Sequence, residues 1–353
     1  MTLDEVRSTF PVLVHSAYLN AGTFGPLARA TVDAMAAWQR RDLEHGRSSR
    51  QYFEEALALR EAVRDRLASL LKVSPTTIAL TQSTTDSCQI VLGGLRLSPT
   101  DEVVTTDSEH FGLLGALHAS GARVRVAAAT ADAVTGAVTP RTRLVAVSHV
   151  LWTTGNSLPV RALRDAVGLP VLVDGAQSVG AIEVDAAGVD FYTVSGQKWL
   201  CGPDTTGGLY VADPEALVVA RPSYLSQESY EPDGAFCPRA GAARFDSGWI
   251  PPASLAGLVA AIDSAPEWRY ERTLQAAAAC RELLAERHEV VTVPSHGGLV
   301  SFRSHDDSAE VVARLHARDV VVRDVPGTGL VRASCGYWTS DGDLERLLDA
   351  LDA

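Results

Sequence analysis

Lysine is nearly absent from this chain, and one of its two lysines lies where a primary amine can do chemistry. Lys72 and Lys198 are the only lysines among 353 residues, and Lys198 comes shortly after the apolar run 191–194. Unlike arginine, lysine can lose its proton near neutral pH and form an imine with a carbonyl group. Chance survival in an arginine- and alanine-rich chain is the alternative, so the neighbourhood of Lys198 has to decide between the two.

A carboxylate ends the apolar run that precedes this one. Asp174 follows the run 171–173, and a carboxylate at a buried strand end needs a cation or several hydrogen-bond donors. A helix N-cap is the ordinary alternative for such an aspartate. Together with Lys198 one strand later, however, Asp174 supplies what pyridoxal phosphate requires. That cofactor needs an amine for its aldehyde and an anion for its pyridine nitrogen.

Hydroxyl-bearing residues lie between a predicted strand and a predicted helix near residue 83. Backbone N–H groups at a helix N-terminus, together with neighbouring hydroxyls, form a phosphate-binding site. A serine or threonine helix cap is the alternative. The candidates for phosphate binding are the residues of this turn and two side chains just before Lys198: Ser83, Thr84, Thr85, Ser195 and Gln197.

Two further side chains have types that suit such a site. His110 follows the strand-like run 103–106 and could stack on a planar cofactor, although a lone histidine is more often a surface or core residue. Arg332 lies in a strand-like run near the C-terminus and is a candidate for bidentate capture of an α-carboxylate. A structural, exposed arginine is the usual alternative there.

The elements that must position these residues are read from the apolar runs. Strand-like runs lie at 77–80, 103–106, 123–126, 144–148, 171–174, 191–194 and 209–211. Helical patterns separate several of them, which predicts an α/β fold with a mostly parallel sheet covered by helices on both faces. In such a sheet the carboxyl ends of the strands form the ligand crevice, and the candidate residues follow those ends.

The pattern of apolar residues changes after about residue 250, where it predicts long Ala/Leu/Arg helices at roughly 253–286. The remaining patterns predict strands at 290–293, 299–302, 320–322 and 330–334, and helices at 308–318 and 341–351. We therefore predict a large domain at 1–250 and a smaller α+β domain at 251–353.

Composition restricts the class of function. A net charge of −12 argues against binding to nucleic acid or to a membrane surface. The chain lacks a signal-peptide pattern and any apolar run near the ~20 residues that span a bilayer, which predicts a cytoplasmic protein. Its five cysteines are odd in number and widely spaced, which indicates reduced thiols. No metal-ligand spacing is present, so we expect no metal site.

As a set, the motifs resemble those of the aminotransferase class V (cysteine desulfurase-like) family of fold-type I pyridoxal-phosphate enzymes. The matching segments follow the family's order: 18–23, 81–85, 109–110, 147–150, 173–178, 195–198 and 331–334. The resemblance implies that Lys198 forms the Schiff base with the cofactor, that Asp174 pairs its pyridine nitrogen and that Gln177 hydrogen-bonds its phenolic oxygen.

The resemblance implies further roles and an assembly. His110 is expected to stack on the cofactor ring and Arg332 to bind the carboxylate of an amino-acid substrate. Thr84, Thr85, Ser195 and Gln197 are expected to hold the phosphate. Family members are typically homodimers with the active site at the subunit interface, so a homodimer is expected here too.

Departures from the family's pattern point away from desulfuration. The stretch 323–329 lacks the nucleophilic cysteine that cysteine desulfurases carry on the corresponding loop, and large aromatic residues occur within 148–152 and 247–250. The segments 198–203 and 247–249 look most like the cysteine/cystine C–S lyase branch. This implies α,β-elimination from cysteine, cystine or an S-conjugate to give pyruvate, ammonia and a sulfur product. Transamination, epimerisation and desulfuration stay open as alternatives.

The substrate pocket is expected to use residues from several segments. The candidates are Thr23, His149, Trp249 and Arg332. Three other arginines are either a site for a second substrate carboxylate or plain surface charge: Arg221, Arg239 and Arg244.

Overall fold

Helices and strands alternate along most of the chain, as the apolar runs predict. In the computed structural model, which describes residues 1–352, the helices are α1 (Leu3–Ser8), α2 (Arg29–His45), α3 (Arg50–Leu71), α4 (Thr84–Gly94), α5 (Phe111–Ala119), α6 (Ala131–Gly136), α7 (Val160–Val167), α8 (Pro252–Ser264), α9 (Arg269–Ala285), α10 (Ser308–His316) and α11 (Asp341–Leu351). The strands are β1 (Ala17–Tyr18), β2 (Ile78–Thr81), β3 (Glu102–Thr106), β4 (Arg123–Ala127), β5 (Thr142–Ser148), β6 (Val171–Asp174), β7 (Phe191–Ser195), β8 (Gly207–Val211), β9 (Gln227–Tyr230), β10 (Phe236–Pro238), β11 (Glu289–Val290), β12 (Leu299–Arg303), β13 (Val320–Val321), β14 (Arg323–Val325) and β15 (Leu330–Ser334).

Seven of these strands form the central sheet, in the order β2-β8-β7-β6-β5-β3-β4. Strands β3 to β7 pair in parallel, and only β8 runs antiparallel to its two neighbours. The predicted mostly parallel sheet is confirmed. The carboxyl ends of β5, β6 and β7 therefore meet at one edge, because parallel strands all point the same way.

The sheet is buried on both faces, and the period of two along each strand divides its side chains between two apolar clusters. Val145, Val147 and Val173 belong to one cluster, whereas Leu144 and Leu172 belong to the other. Helices cover each face, so the strands need continuous apolar sequences rather than alternating ones. This is the physical reason why the Val/Leu runs were recognisable without any structure.

The C-terminal region contains a second, antiparallel sheet of order β11-β12-β15-β14. The strand predicted at 290–293 is shorter than expected and ends at Val290. Only the first two residues of the run predicted at 320–322 form a strand, β13, and β14 begins at Arg323. Strand β13 pairs in parallel with β1 from the N-terminal segment.

The long helical region predicted at 253–286 consists of two helices, α8 and α9. The break follows from Pro266, which disfavours helical backbone at the residue before it. Ala265 accordingly has an extended conformation with ψ of 133°.

Helix α8 packs against α2 and α3, and its Leu255 and Leu258 belong to a core cluster of the large sheet. Ala276 and Cys280 of α9 pack with the C-terminal sheet instead. The domain boundary near residue 250 stays a prediction. Within residues 1–352, no helix is both long enough and apolar enough to span a membrane.

Candidate functional site

One cavity of about 230 Å³ lies at the carboxyl ends of the parallel strands. Ten of the thirteen predicted site residues line it: Thr23, Ser83, Thr84, Thr85, His110, Gln177, Ser195, Gln197, Lys198 and Arg332. Four further residues complete the wall: Gly22, Phe24, Trp152 and Arg323. The fold thus brings together residues that are up to 309 positions apart in the chain, Thr23 and Arg332.

Lys198 lies in the tight turn that follows β7. A Cβ atom at Gly196 would lie 2.1 Å from Thr206 Oγ1, so only glycine fits the turn that presents the lysine. Burial lowers the pKa of the Lys198 amine to about 8. The charge of Asp174 opposes this shift, whereas the two nearby arginines add to it. At pH 7 an amine with that pKa is ~10% unprotonated, against less than ~0.1% for an ordinary lysine.

Asp174 is a buried carboxylate at the end of β6. Its Oδ1 accepts hydrogen bonds from the backbone N–H of Ala176 at 2.9 Å and from the hydroxyl of Thr193 at 3.4 Å. Its Oδ2 has no hydrogen-bond partner among residues 1–352 and is free to meet a cation. The N-cap alternative for Asp174 is wrong, because no helix begins within ten residues after it.

The N-terminal end of α4 forms another side of the cavity. Ser83 is the N-cap of this helix, and its hydroxyl accepts the backbone N–H of Asp86 at 3.1 Å. Thr84 and Thr85 occupy the first turn, where backbone N–H groups have no partner within the helix. Ser195 donates to Gln197 Oε1 at 2.8 Å, which leaves the amide nitrogen of Gln197 as a donor. Free N–H groups, hydroxyls and the helix dipole together suit an anion such as phosphate.

His110 caps the next helix and also lines the cavity. Its Nδ1 accepts the backbone N–H of Gly112 at 3.1 Å, so the proton of the neutral ring is on Nε2. Burial lowers the pKa of this imidazole, and the charge of Lys198 lowers it further. The ring makes an edge-on contact with Trp152, with centroids 5.0 Å apart. A neutral, fixed imidazole of this kind suits stacking on a planar ring.

The residue before it, Glu109, is buried and bridges two strands. It accepts hydrogen bonds from the Thr106 hydroxyl at 2.7 Å and from the backbone N–H and hydroxyl of Ser148. Burial raises the pKa of Glu109 to about 7, and these donors oppose the shift. Glu109 therefore fixes the end of β5 beside the loop that carries His110.

Two arginines lie side by side on the C-terminal sheet and both line the cavity. Arg323 of β14 and Arg332 of β15 are direct partners in the antiparallel register, so they project from the same face. Both donate to Thr23 Oγ1, at 3.3 and 3.4 Å, and Arg332 also donates to the carbonyl of Trp152 at 2.8 Å. Neither has a carboxylate within 4.0 Å among the described residues.

This arrangement demands an anion. Burial lowers the pKa of the Arg332 guanidinium and the charge of Arg323 lowers it further, because two cations oppose each other in a wall without a counter-ion. The sequence analysis missed Arg323. A turn signal at 326–329 was available, and a hairpin centred on it places residues 323 and 332 opposite each other.

Gln177 follows Asp174 and has both ends of its amide engaged. Its Oε1 accepts the indole N–H of Trp199 at 2.9 Å, and its Nε2 donates to the carbonyl of Gly22 at 2.9 Å. Gln177 and Trp199 are both almost fully buried. The segment between β1 and α2 and the loop that carries Lys198 are thus joined through one side chain.

Two predicted substrate contacts do not lie in the wall of this cavity. His149 turns its Nδ1 to the hydroxyl of Tyr192 at 2.6 Å, and Trp152 lines the cavity in its place. Trp249 is 41% exposed and packs edge-on against Phe53, with ring centroids 6.0 Å apart. Within the described chain, neither side chain contributes to the cavity, and their substrate-binding roles stay predictions.

The segment that carries Trp249 is held by a buried charge cluster. Asp246 accepts from Arg60 Nη2 at 2.8 Å, from Arg64 Nη2 at 2.9 Å and from the backbone N–H of Leu80 at 2.8 Å. The carboxylate is fully buried, and its removal would leave two uncompensated cations. The cluster fixes residues 247–249 against the end of β2.

The three arginines that we considered for a second carboxylate lie elsewhere. Arg221 pairs with Asp86 at 2.7 Å, and Arg244 pairs with Glu215. Arg239 lines a separate surface depression with Tyr224 and Tyr230. Arg323, by contrast, lines the cavity beside Arg332.

Comparisons with known proteins agree with this geometry. The family model described as aminotransferase class-V matches residues 18–346. Isopenicillin N epimerase of Streptomyces clavuligerus is 30% identical over 95% of this chain and 94% of its own length. Cysteine desulfurase CsdA of Escherichia coli (strain K12) is 28% identical over 99% of this chain and 96% of its own length.

The solved structures of the cystine C–S lyase C-DES have the same fold. Its complex with the reaction product cysteine persulfide has a TM-score of 0.90 and 29% identity, covering 97% of this chain and 98% of that one. A C-DES mutant with glycine covalently linked to the PLP cofactor has the same TM-score and identity, covering 98% of both chains. The predicted fold-type I architecture is confirmed.

Proposed function

Because the chain belongs to the aminotransferase class-V family, whose cofactor is pyridoxal phosphate, we propose that it is a carbon–sulfur lyase. The substrate would be a cysteine-type amino acid and the reaction an α,β-elimination. Among the described residues, the cavity wall contains no cysteine, which disfavours desulfuration, and it contains two arginines without a carboxylate partner, which suit a substrate with two carboxylates.

The residues that line the cavity, together with Asp174 at the end of β6 behind its wall, fit the cofactor. Lys198 supplies a buried amine for the aldehyde, and the free Oδ2 of Asp174 supplies an anion for the pyridine nitrogen. The first turn of α4, with Thr84 and Thr85, would hold the phosphate. His110 would stack on the ring as a neutral imidazole. These roles follow from the contacts above and from the resemblance.

When bound, the cofactor supplies an electron sink for the charge that develops at Cα of the substrate. Arg332 would bind the α-carboxylate and so orient the Cα–H bond towards the amine. Lys198 would then remove the Cα proton as a general base, for which a pKa of about 8 is well suited. Asp174 favours the protonated state of the ring nitrogen and thereby stabilises the developing charge.

The reaction ends with cleavage of the Cβ–S bond. Sulfur leaves with the bonding electron pair as a thiolate or, from cystine, as a persulfide, and water converts the remaining three carbons and nitrogen to pyruvate and ammonia. Desulfuration would instead need a cysteine thiolate to attack the substrate sulfur. Four of the five cysteines are buried, and the exposed one, Cys237, lies in β10 away from the cavity.

Arg323 would select the substrate. With the α-carboxylate on Arg332, a second anionic group of the substrate would meet the neighbouring guanidinium on the same face of the sheet. Cystine carries such a group on the far side of its sulfur atoms. The substrate that we propose is therefore cystine or an S-conjugate of cysteine with a distal carboxylate.

Epimerisation is the second candidate, because a relative of nearly full length is an isopenicillin N epimerase. Both reactions begin with removal of the Cα proton, so Lys198 would serve either. They differ in the fate of that carbon, since epimerisation returns the proton to the opposite face and releases an intact amino acid.

We also propose that the enzyme is a homodimer. Large apolar side chains are exposed around the segment that holds Trp249 and near the cavity: Phe24, Phe53, Phe111, Tyr224, Tyr230 and Trp249 are each more than 40% exposed. A partner surface would cover them, and Trp249 would then face the partner's cavity. Sedimentation should give twice the chain mass, and a monomer that retains full activity would contradict this proposal.

The reaction is tested by product analysis. Purified protein loaded with pyridoxal phosphate is incubated with cystine, cysteine or S-methylcysteine, and pyruvate, sulfide, alanine and pyridoxamine phosphate are measured together. We expect pyruvate and persulfide sulfur in equal amounts from cystine. Alanine without pyruvate, and loss of all activity in Cys335→Ala, would establish desulfuration. An intact amino acid of inverted configuration would establish epimerisation.

A further inference from the structure

The residue after the lysine, Trp199, controls the side chain of Gln177. We propose that Trp199 is a positioning residue that fixes the amide of Gln177 in the one orientation that suits the cofactor. The inference rests on pyridoxal phosphate as the cofactor of the family and is independent of the lyase reaction.

The orientation of the amide follows from the chemistry of its two partners. An indole N–H can only donate, so the atom of Gln177 that faces Trp199 must be the carbonyl oxygen. A backbone carbonyl can only accept, so the atom that faces Gly22 must be the amide nitrogen. Flipping the amide would set two donors against each other at Trp199 and two acceptors at Gly22.

This orientation decides what the amide offers to the cavity. The nitrogen uses one of its two N–H groups on Gly22 and retains the other as a donor. Gln177 lines the cavity, and the resemblance assigns it to the phenolic oxygen of the cofactor. That oxygen carries negative charge, so an N–H donor stabilises it, whereas the carbonyl oxygen of a flipped amide would repel it.

Packing prevents the indole from leaving its place. Trp199 is 2% exposed, and a Cβ atom at Gly298 would lie 2.6 Å from its ring. Gly180 packs closely against the backbone of Trp199, since a Cβ atom at Gly180 would lie 2.8 Å from the carbonyl carbon of Trp199. The indole therefore has one position, and its N–H has one acceptor.

The test is the variant Trp199→Phe, which keeps a large apolar ring and removes the N–H. The readout is the visible absorbance of the bound cofactor as a function of pH, measured without substrate. A hydrogen-bond donor to the phenolic oxygen stabilises the negative charge there and so favours loss of the proton that this oxygen shares. A weaker hydrogen bond from Gln177 should therefore raise the midpoint pH of the absorbance change. We expect a rise of about half to one unit, a three- to tenfold change in the proton equilibrium.

Two matched variants make the result specific. Trp338→Phe also removes a buried indole hydrogen bond, to the carbonyl of Tyr18 at 3.1 Å, within the same apolar cluster. It should leave the midpoint unchanged. In a Gln177→Leu background, Trp199→Phe should have no further effect, because no amide remains to be oriented.

An unchanged midpoint in folded, cofactor-loaded Trp199→Phe would overturn the proposal, and so would an equal rise in Trp338→Phe. If Trp199→Phe does not fold, replacement of Trp199 by benzothienylalanine keeps the ring volume and removes only the N–H. The same rise is expected for it. Since no substrate is used, a failure of the lyase assignment would leave this measurement unaffected.

Discussion

Replacing Arg323 by glutamine should change the choice of substrate more than the chemistry. Arg323 and Arg332 are register partners without a carboxylate neighbour within residues 1–352, and we propose that they bind the two carboxylates of one substrate. The Arg323→Gln variant keeps a polar, uncharged and shorter side chain in the cavity wall. It removes the charge that would bind the distal carboxylate and keeps Lys198 and Asp174 in the site, although the pKa of Lys198 should rise because Arg323 contributes to its lowering.

The magnitude follows from the value of hydrogen bonds to charged groups. Such bonds contribute about 1.5–3 kcal/mol each, which corresponds to a ~10- to 150-fold loss of kcat/KM for cystine. A substrate without a distal carboxylate never makes this contact. For S-methylcysteine the variant only relieves the repulsion between the two guanidiniums, a repulsion that lowers the pKa of Arg332 in the parent protein. We expect a change of no more than ~3-fold there.

The assay measures kcat/KM for cystine and for S-methylcysteine by pyruvate release, and the result is their ratio in variant and parent. Arg244→Gln is the matched control. It removes an arginine that pairs with Glu215 outside the cavity and should leave the ratio unchanged. Equal losses for both substrates in Arg323→Gln, or a change of the ratio in Arg244→Gln, would refute the two-carboxylate argument.

Three other predictions test the amine of Lys198, the buried carboxylate of Glu109 beside His110, and the charge cluster around Asp246. Lys198→Ala should abolish turnover and the visible absorbance of the bound cofactor, whereas Lys72→Ala, on the surface, should retain both. A yellow, active Lys198→Ala protein would contradict the assignment of Lys198 as the residue that binds the cofactor aldehyde. The pKa of Glu109 in the folded protein is about 7, above its ordinary value of 4.5, so the free energy of unfolding should fall as the pH rises from 4.5 to 7. Glu109→Gln should remove up to about 3 kcal/mol of this pH dependence, measured by urea titration. An unchanged pH dependence in the variant would contradict the burial of a protonated Glu109. Asp246→Ala should lower the free energy of unfolding by about 3–5 kcal/mol, because two buried arginines lose their counter-ion; Asp263→Ala, at an exposed pair, should cost less than about 1 kcal/mol.

The local features of the site were predictable because strand ends carry their meaning in the sequence. Asp174 follows a Val/Leu run and Lys198 follows the apolar run 191–194; such runs are typical of buried parallel strands, whose carboxyl ends lie at one edge of the sheet. The same reasoning predicted the first turn of α4 and His110. No contact between distant parts of the chain was needed to identify these positions.

Other features could not be predicted, because they depend on pairs far apart in the chain. The contact between Trp199 and Gln177 spans 22 residues and that between Gln177 and Gly22 spans 155. No local pattern distinguishes an indole that packs from one that also orients an amide. His149 was expected in the pocket from its motif alone, and only the fold shows its ring turned to Tyr192.

The sequence by itself determined the class of fold, the lysine and its partner carboxylate, because apolar periodicity and residue chemistry are local properties. The tertiary structure decided which side chains line the cavity. It placed Arg323 beside Arg332 and left both without a counter-ion among the described residues, it put Trp152 rather than His149 in the wall, and it closed Gln177 between Trp199 and Gly22. Those outcomes depend on strand register and side-chain packing, which are set by the whole chain at once.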